Sequence, residues 1–128
     1  MTYTINRKFD SASFDDVVER TRAALADQGF GVLTEIDVKA TMKKKLDVNM
    51  DPYLILGACN PKMAHNAIEM EPRVGAMLPC NVIVRQVSDA VEVSAIDPVA
   101  SMAAIDNQEL TRVASQVRDM LAEAVRRI

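Results

Sequence analysis

Tryptophan is absent from this chain, histidine occurs once, and aromatic residues make up only 4% of it. A single imidazole leaves little scope for triad chemistry, and so few rings offer little for stacking single-stranded bases. Glycine occurs only four times, with no G-x-G-x-x-G, G-x-x-x-x-G-K-[ST] or G-x-S-x-G pattern. The usual phosphate-cradling loops and the nucleophile elbow are therefore excluded. Net positive charge is also lacking: the formal charge is -3 and the pI is near 5.1. Nucleic acid is disfavoured as a partner, because binding it requires a positive surface that releases counterions. No apolar run approaches the roughly 20 residues of a membrane helix. Met1 to Arg7 lacks the basic segment and apolar run of a signal peptide, so the expectation is a cytoplasmic protein without membrane attachment. Two cysteines are too few for a disulfide framework, and in a reducing compartment they read as packing, metal-binding or reactive thiols.

What remains is the composition of an ordinary globular domain, 49% hydrophobic and 26% charged over 128 residues. That length fits one domain spanning residues 1–128, with no linker, repeat or low-complexity tract to divide it. Tyr3, Ile5 and Phe9 alternate with Thr4, Asn6 and Lys8, the period of a strand with one buried face. Ser13 offers an N-cap to a helix whose apolar side carries Phe14, Val17, Val18, Ala24 and Leu25, ending at Gly29. Phe30 to Val38 reads as a second strand, with Val32, Ile36 and Val38 on one face and Leu33 and Glu35 on the other. Asp37 caps a short helix over Lys39 to Leu46.

Tyr53 to Cys59 is an unbroken apolar run, the pattern of a central strand covered on both faces. Asn60-Pro61 supplies an N-cap and the residue favoured at the first helical position, so a helix starts directly after Cys59 and runs to about Glu71. A short helical piece follows from Arg73 to Leu78. Val82 to Val87, a turn at Ser88-Asp89 and Val91 to Ile96 form a hairpin. Asp97-Pro98 breaks that strand, and a loop leads to a capping box at Asp106 and Glu109. Leu110, Val113, Val117, Met120, Leu121, Ala124, Val125 and Ile128 then recur at spacings of three and four in a long amphipathic helix. The fold class is α+β: about five strands in a mainly antiparallel sheet, two long helices packed on one face, and several short helices.

The best candidate site is the pair of cysteines. Cys59 sits at a strand end one residue before a helix N-cap, where unsatisfied N–H groups and the positive end of the helix dipole favour thiolate over thiol. Cys80 opens the next long strand. If the two strands run antiparallel side by side, the thiols approach one another; a parallel arrangement through the helix puts them at opposite ends of the sheet. Free cysteines are also commonly small buried hydrophobes. Asn60 and Asn81, in the flanking Cys-Asn-Pro and Pro-Cys-Asn strings, complete the candidate ligand-binding set. Lys45, from the basic cluster of Lys39, Lys43, Lys44 and Lys45, joins it as a group able to meet an anionic ligand. A solvated helix face explains that cluster equally. His65, one turn into the helix after Pro61, is a weak third metal ligand beside the thiols, since no compact Cys-x-x-Cys spacing accompanies it. Met63, Met70 and Met77 recur every seven residues, a stripe suited to core, a subunit interface or an adaptable apolar wall. Glu35, Asp37 and Asp97 lie near strand ends, but no spacing pairs them as acid and base.

The strings Asp37 to Lys45, Leu56-Gly57-Ala58-Cys59-Asn60-Pro61 and Leu78-Pro79-Cys80-Asn81-Val82, with Glu71-Pro72 and Gly75 between, closely resemble the domain-of-unknown-function family 302 along nearly the whole chain. The resemblance implies helices on one side of a curved antiparallel sheet, similar to the TATA-box-binding-protein-like group, and often a homodimer. It implies no established activity, cofactor or catalytic residue, and a shared fold gives no licence to infer DNA binding.

Three functional readings follow. The first is a binding module that holds a small ligand, sulfur or metal species near Cys59, Asn60, Cys80 and Asn81. The second is a thiol-dependent redox or sulfur-transfer enzyme with Cys59 as attacker and Cys80 as resolving partner. The third is a structural or interaction homodimer with packed thiols.

Overall fold

The computed structural model describes residues 2–128. Five strands make one sheet: β1 (Thr4–Asp10), β2 (Gly31–Asp37), β3 (Tyr53–Cys59), β4 (Cys80–Val87) and β5 (Ala90–Ile96). Their order is β1-β5-β4-β3-β2, and every neighbouring pair is antiparallel. The helices are α1 (Phe14–Asp27), α2 (Val38–Leu46), α3 (Pro61–Met70), α4 (Pro98–Ser101) and α5 (Gln108–Arg126), with a 3-10 helix over Pro72–Met77. The expected α+β class, with two long helices on one face of an antiparallel sheet, is the observed one.

Alternation along the strands decides which side becomes core. Leu54, Leu56 and Ala58 of β3, Val82 and Val84 of β4, and Val91, Val93 and Ala95 of β5 all point to one face and are buried. Val17, Val18, Ala24 and Leu25 of α1 and Val117, Leu121, Ala124 and Val125 of α5 close over them. Burying a Leu or Val side chain contributes about 1.5–3 kcal/mol, so this single layer of side chains dominates the stability. Near the start of α5 a second cluster of Ala67, Val74, Met102, Leu110 and Ala114 ties α3, the 3-10 helix and α4 to the same side. Arg7 of β1 donates to the carbonyls of Val125 and Arg126 at 3.2 and 2.6 Å, a cation at the negative end of α5.

Local signals place the elements. Ser13, Asp37 and Asn60 accept from the backbone N–H three residues on, capping α1, α2 and α3. Gly29 ends α1 at φ +85°, a left-handed conformation open to glycine at no steric cost. The Gly29 N–H donates to Ala26 O at 3.0 Å and the Phe30 N–H to Leu25 O at 2.9 Å, which is a Schellman closure. It turns Phe30 back into the core, where it is buried.

Four sequence expectations need correction. β3 is an interior strand but β4 is the central one, and helices cover only one face of the sheet. The apolar run of β3 arises because its outward residues Tyr53 and Ile55 are half-buried within the open face rather than packed under a second layer. In β2 the register shifts between Val32 and Thr34; the extra residue, Leu33, is 67% exposed and flips the alternation. Val32 therefore lies opposite Ala58 on the core side, whereas Ile36 lies opposite Ile55 on the open side. After β5, Asp97-Pro98 does not lead into a loop: the Asp97 carboxylate accepts from the N–H of Val99 at 2.9 Å and starts α4. Finally, the cap of α5 is Asn107, which accepts from the Leu110 N–H at 3.0 Å, not Asp106.

Candidate functional site

The end of β3 and the start of β4 meet because the two strands are antiparallel, with Ala58 directly opposite Cys80. Cys59, Asn60 and Cys80 consequently line one small cavity of about 40 Å³ beneath α3 and α5. Its walls are almost wholly apolar: Phe30, positioned by the turn at Gly29, Met63 and Ala67 of α3, Met102 after α4, and Leu110 and Ala114 of α5. Cys59 is half-buried and Cys80 buried; both are free thiols and do not lie within disulfide distance, because Ala58 rather than Cys59 faces Cys80 in the register. Burial pushes the Cys80 thiol up to about 11, with repulsion from Cys59 adding to the shift. At neutral pH Cys80 is thus protonated and a poor attacker or resolving thiol.

Asn60 serves the architecture of this corner. Its Oδ1 accepts from the Met63 N–H at 3.2 Å, starting α3 directly behind Cys59. Its amide side packs against Gly29, where an added Cβ would stand 3.1 Å from Nδ2. Gly57 is a second close approach: a Cβ there would meet Thr34 Oγ1 at 2.1 Å and Pro79 Cγ at 2.8 Å. The absence of a side chain lets Thr34 and Pro79 cover this part of β3. Pro79, whose peptide bond to Leu78 is cis, is thereby held next to Cys80 as part of the cavity wall.

Three other predicted site residues lie elsewhere. Asn81 follows Cys80 on a strand, so it points to the opposite face; it is exposed and borders the open side of the sheet. Lys45 is exposed on α2, whose N-cap Asp37 pairs with Leu54 at the far end of β3, about 16 Å along the strand from Cys59. His65 points into solvent from α3, its side chain 72% exposed and 3.3 Å from Glu69. No group of three or more His, Cys, Asp or Glu side chains suited to a metal occurs among the described residues, so Cys59, Cys80 and His65 do not form a joint set. Met63 lines the cavity, whereas Met77 of the same stripe is among the exposed large hydrophobics. Met102, Phe30 and Leu110 were not distinguishable from core by sequence pattern, because the cavity draws them from three separate elements.

The open face is different in kind. Tyr53, Asn81, Ile83, Arg85, Glu92 and Ser94 border a shallow groove of about 520 Å³. Arg85 lies opposite Glu92 in the register and donates to its Oε1 from Nε at 3.1 Å and from Nη2 at 2.8 Å. Among the described residues, no helix is long and apolar enough to cross a membrane.

Comparison with known proteins agrees with this architecture. The sequence pattern of the family described as "Domain of unknown function DUF302" matches residues 5–128. A solved structure, the crystal structure of an uncharacterized conserved protein DUF302 from Bacillus stearothermophilus, superposes with a TM-score of 0.92 at 24% identity, covering 99% of this chain and 98% of that one. That likeness speaks to the fold. Among curated proteins none matches the chain. With the family pattern running through all five strands and both long helices, the chain belongs to the DUF302 family.

Proposed function

We propose that this protein is a binding module that holds a cargo of one or a few heavy atoms, a sulfur or metal species, in the cavity between Cys59 and Cys80. The observation that supports the reading is that Cys59 and Cys80 both border one apolar cavity of about 40 Å³. A cavity of that size exceeds the roughly 10–15 Å³ needed for one water but falls far below the roughly 300–1,000 Å³ of an organic ligand pocket. Of the two thiols, Cys59 is half-buried and Cys80 buried, so Cys59 is the one open to reagents from solvent. The protonated state of Cys80 weighs against a dithiol redox enzyme and favours holding over turnover.

The test is native mass spectrometry of reduced protein after incubation with inorganic polysulfide or with metal ions. For polysulfide, the Cys59 thiolate attacks one sulfur, an S–S bond breaks, and the shortened polysulfide leaves. The expected result is one added species per chain, lost in Cys59→Ala. Only bare chain under every condition overturns the reading.

A second reading, a homodimer, is supported by the uncovered sheet face. Ile36 is 48% exposed there, and Tyr53, Ile55 and Ile83 are half-buried without a covering layer. Apolar side chains across one sheet face suit a two-fold, self-complementary interface. Sedimentation analysis is expected to give a dimer that Ile83→Lys dissociates; a wild-type monomer at micromolar concentration contradicts this.

A further inference from the structure

We propose that the groove on the open face of the sheet, separate from the thiol cavity, is a binding site for a neutral polyhydroxylated ligand, a mono- or disaccharide. Ser94 singles the groove out. Its neighbours Val93 and Ala95 point into the core, so the Ser94 side chain stands on the open face, where it borders the groove. Only 6% of the residue is exposed, yet its hydroxyl makes no hydrogen bond with any described residue and is not sealed off from solvent, so it opens into the groove. Thr21, also polar and buried, is instead satisfied within the fold, donating to the Val17 carbonyl at 2.7 Å. A hydroxyl reached only from the groove is paired by whatever occupies the groove, water or a ligand oxygen.

The register extends Ser94 into a surface. Asn6 and Ile83 lie opposite it on β1 and β4, and Arg85 lies between Glu92 and Tyr53 in the adjacent row. Asn81, two residues from Ile83 along β4, borders the groove as well. With strands about 4.8 Å apart, the span from β1 to β3 is about 14 Å. The volume of about 520 Å³ falls within the roughly 300–1,000 Å³ of organic ligand sites. The chemistry then selects the ligand. Asn6 and Asn81 carry amides that both donate and accept, as do the Ser94 and Tyr53 hydroxyls, and sugar hydroxyls have the same double character. The Arg85 guanidinium is engaged by Glu92 at 2.8 Å. Lys8, opposite Glu92 on β1, is exposed and stands outside the groove. Among the described residues the groove thus presents no unpaired cation of the kind that captures phosphate or carboxylate. Ile83 and Tyr53 offer an apolar floor to the C–H face of a sugar ring. Ile36 and Ile55 lie on the β2 side of this face, whereas Asn6 and Ser94 lie on the β1 side, so the saccharide site is separable from the surface suited to a second copy.

The experiment is an NMR titration of the labelled full-length protein with glucose, galactose, mannose, maltose, cellobiose and lactose, and with glucose 6-phosphate and inorganic phosphate as anionic probes. At least one neutral sugar is expected to give saturable shifts at Asn6, Tyr53, Ile83 and Ser94, with Cys59 and Met63 unmoved. Ser94→Ala and Asn6→Ala are each expected to weaken that sugar by about two- to tenfold, the equivalent of one neutral hydrogen bond. Lys44→Ala, at an exposed position on α2, is expected to change nothing. Because the Ser94 hydroxyl has no partner in the fold, Ser94→Ala should melt at or above the wild-type temperature while binding less; a clear fall in melting temperature overturns the proposal by giving the hydroxyl a structural role. Asn6 is exposed, so its variant keeps the fold and supplies an independent reading. The proposal is also overturned by the absence of saturable shifts with every neutral sugar, by tighter binding of either anion, by shifts outside the groove, by unchanged affinity in both variants, or by a wild-type dimer that covers Ser94. None of these outcomes touches the cavity reading, whose test reads an adduct at Cys59.

Discussion

The two faces of the sheet divide the molecule into unlike halves. On the helix side, the inward apolar residues of β3, β4 and β5 from Leu54 to Ala95 are packed beneath α1 and α5, and the cavity bordered by Cys59 and Cys80 sits at the edge of that layer. On the other side the same strands carry Tyr53, Ile83, the Arg85–Glu92 pair and Ser94 around an uncovered groove. Cys80 and Asn81 show the division at its sharpest: adjacent in sequence, one is buried in the core and the other exposed on the groove. Stability therefore resides on one face, and substitutions of similar size should act unequally on the two.

The largest effect is expected from Leu56→Ala, which empties a fully buried position on the helix side. Urea denaturation should register a loss of about 2–5 kcal/mol, and a value below about 1 kcal/mol would break the division between the faces.

Next comes the pH dependence tied to Cys80. Its thiol is raised from 9.0 to about 11 in the folded chain, so the folded state binds the proton more tightly than the unfolded state. The associated stability is complete below pH 9 and is lost as pH rises through 11, amounting to roughly 2–3 kcal/mol. Subtracting the curve of Cys80→Ala over pH 8 to 11 isolates it from lysine and tyrosine titration. A flat difference would mean that water reaches the cavity.

Gly57→Ala tests the boundary between the two regions, because the new methyl group meets Thr34 and Pro79. A cost of about 1–3 kcal/mol is expected. The double variant with Thr34→Ala should recover part of it, since the contact at 2.1 Å is to Thr34 Oγ1. Thermal melts of the single and double variants measure this coupling. The smallest effect belongs to Glu92→Gln on the open face, where Arg85 is partly exposed. A change below about 1 kcal/mol is expected by the same denaturation assay. A larger change would show that the groove is more shielded than the single chain makes it.

Much of this arrangement is legible in the sequence, for local reasons. Ser13, Asp37 and Asn60-Pro61 announce helix starts because their side chains satisfy backbone N–H groups within three residues. The spacing from Leu110 to Val125 announces α5 because one stripe must face the core. Leu33 was opaque: a bulge inserts one residue into an otherwise regular alternation, and only pairing with β3 reveals it. Asp97-Pro98 carries both a strand stop and a helix start, and the helix signal prevails because the Asp97 carboxylate finds two backbone donors.

The site was legible to a similar degree. Cys59 and Cys80 are marked by their flanking strings, and antiparallel pairing brings the two strand ends together, with Ala58 rather than Cys59 opposite Cys80. Asn81 was separable in principle from Cys80, since neighbouring residues on a strand face opposite ways. Lys45 and His65 were drawn in by charge and chemistry, whereas distance along β3 and the outward face of α3 remove them. Met102 gave no signal at all, because its place in the cavity depends on how α4 packs against α5.

Whether the sulfur or metal cargo belongs to the cavity or to the open groove is decided by mapping amide chemical shifts of the labelled protein. Spectra are compared before and after inorganic polysulfide under anaerobic conditions, and separately after metal ions. Shifts are expected to concentrate at Cys59, Met63, Cys80, Met102 and Leu110, with the groove unaffected. Shifts concentrated at Tyr53, Ile83, Arg85 and Ser94, or no shifts with either reagent, would contradict binding in the cavity.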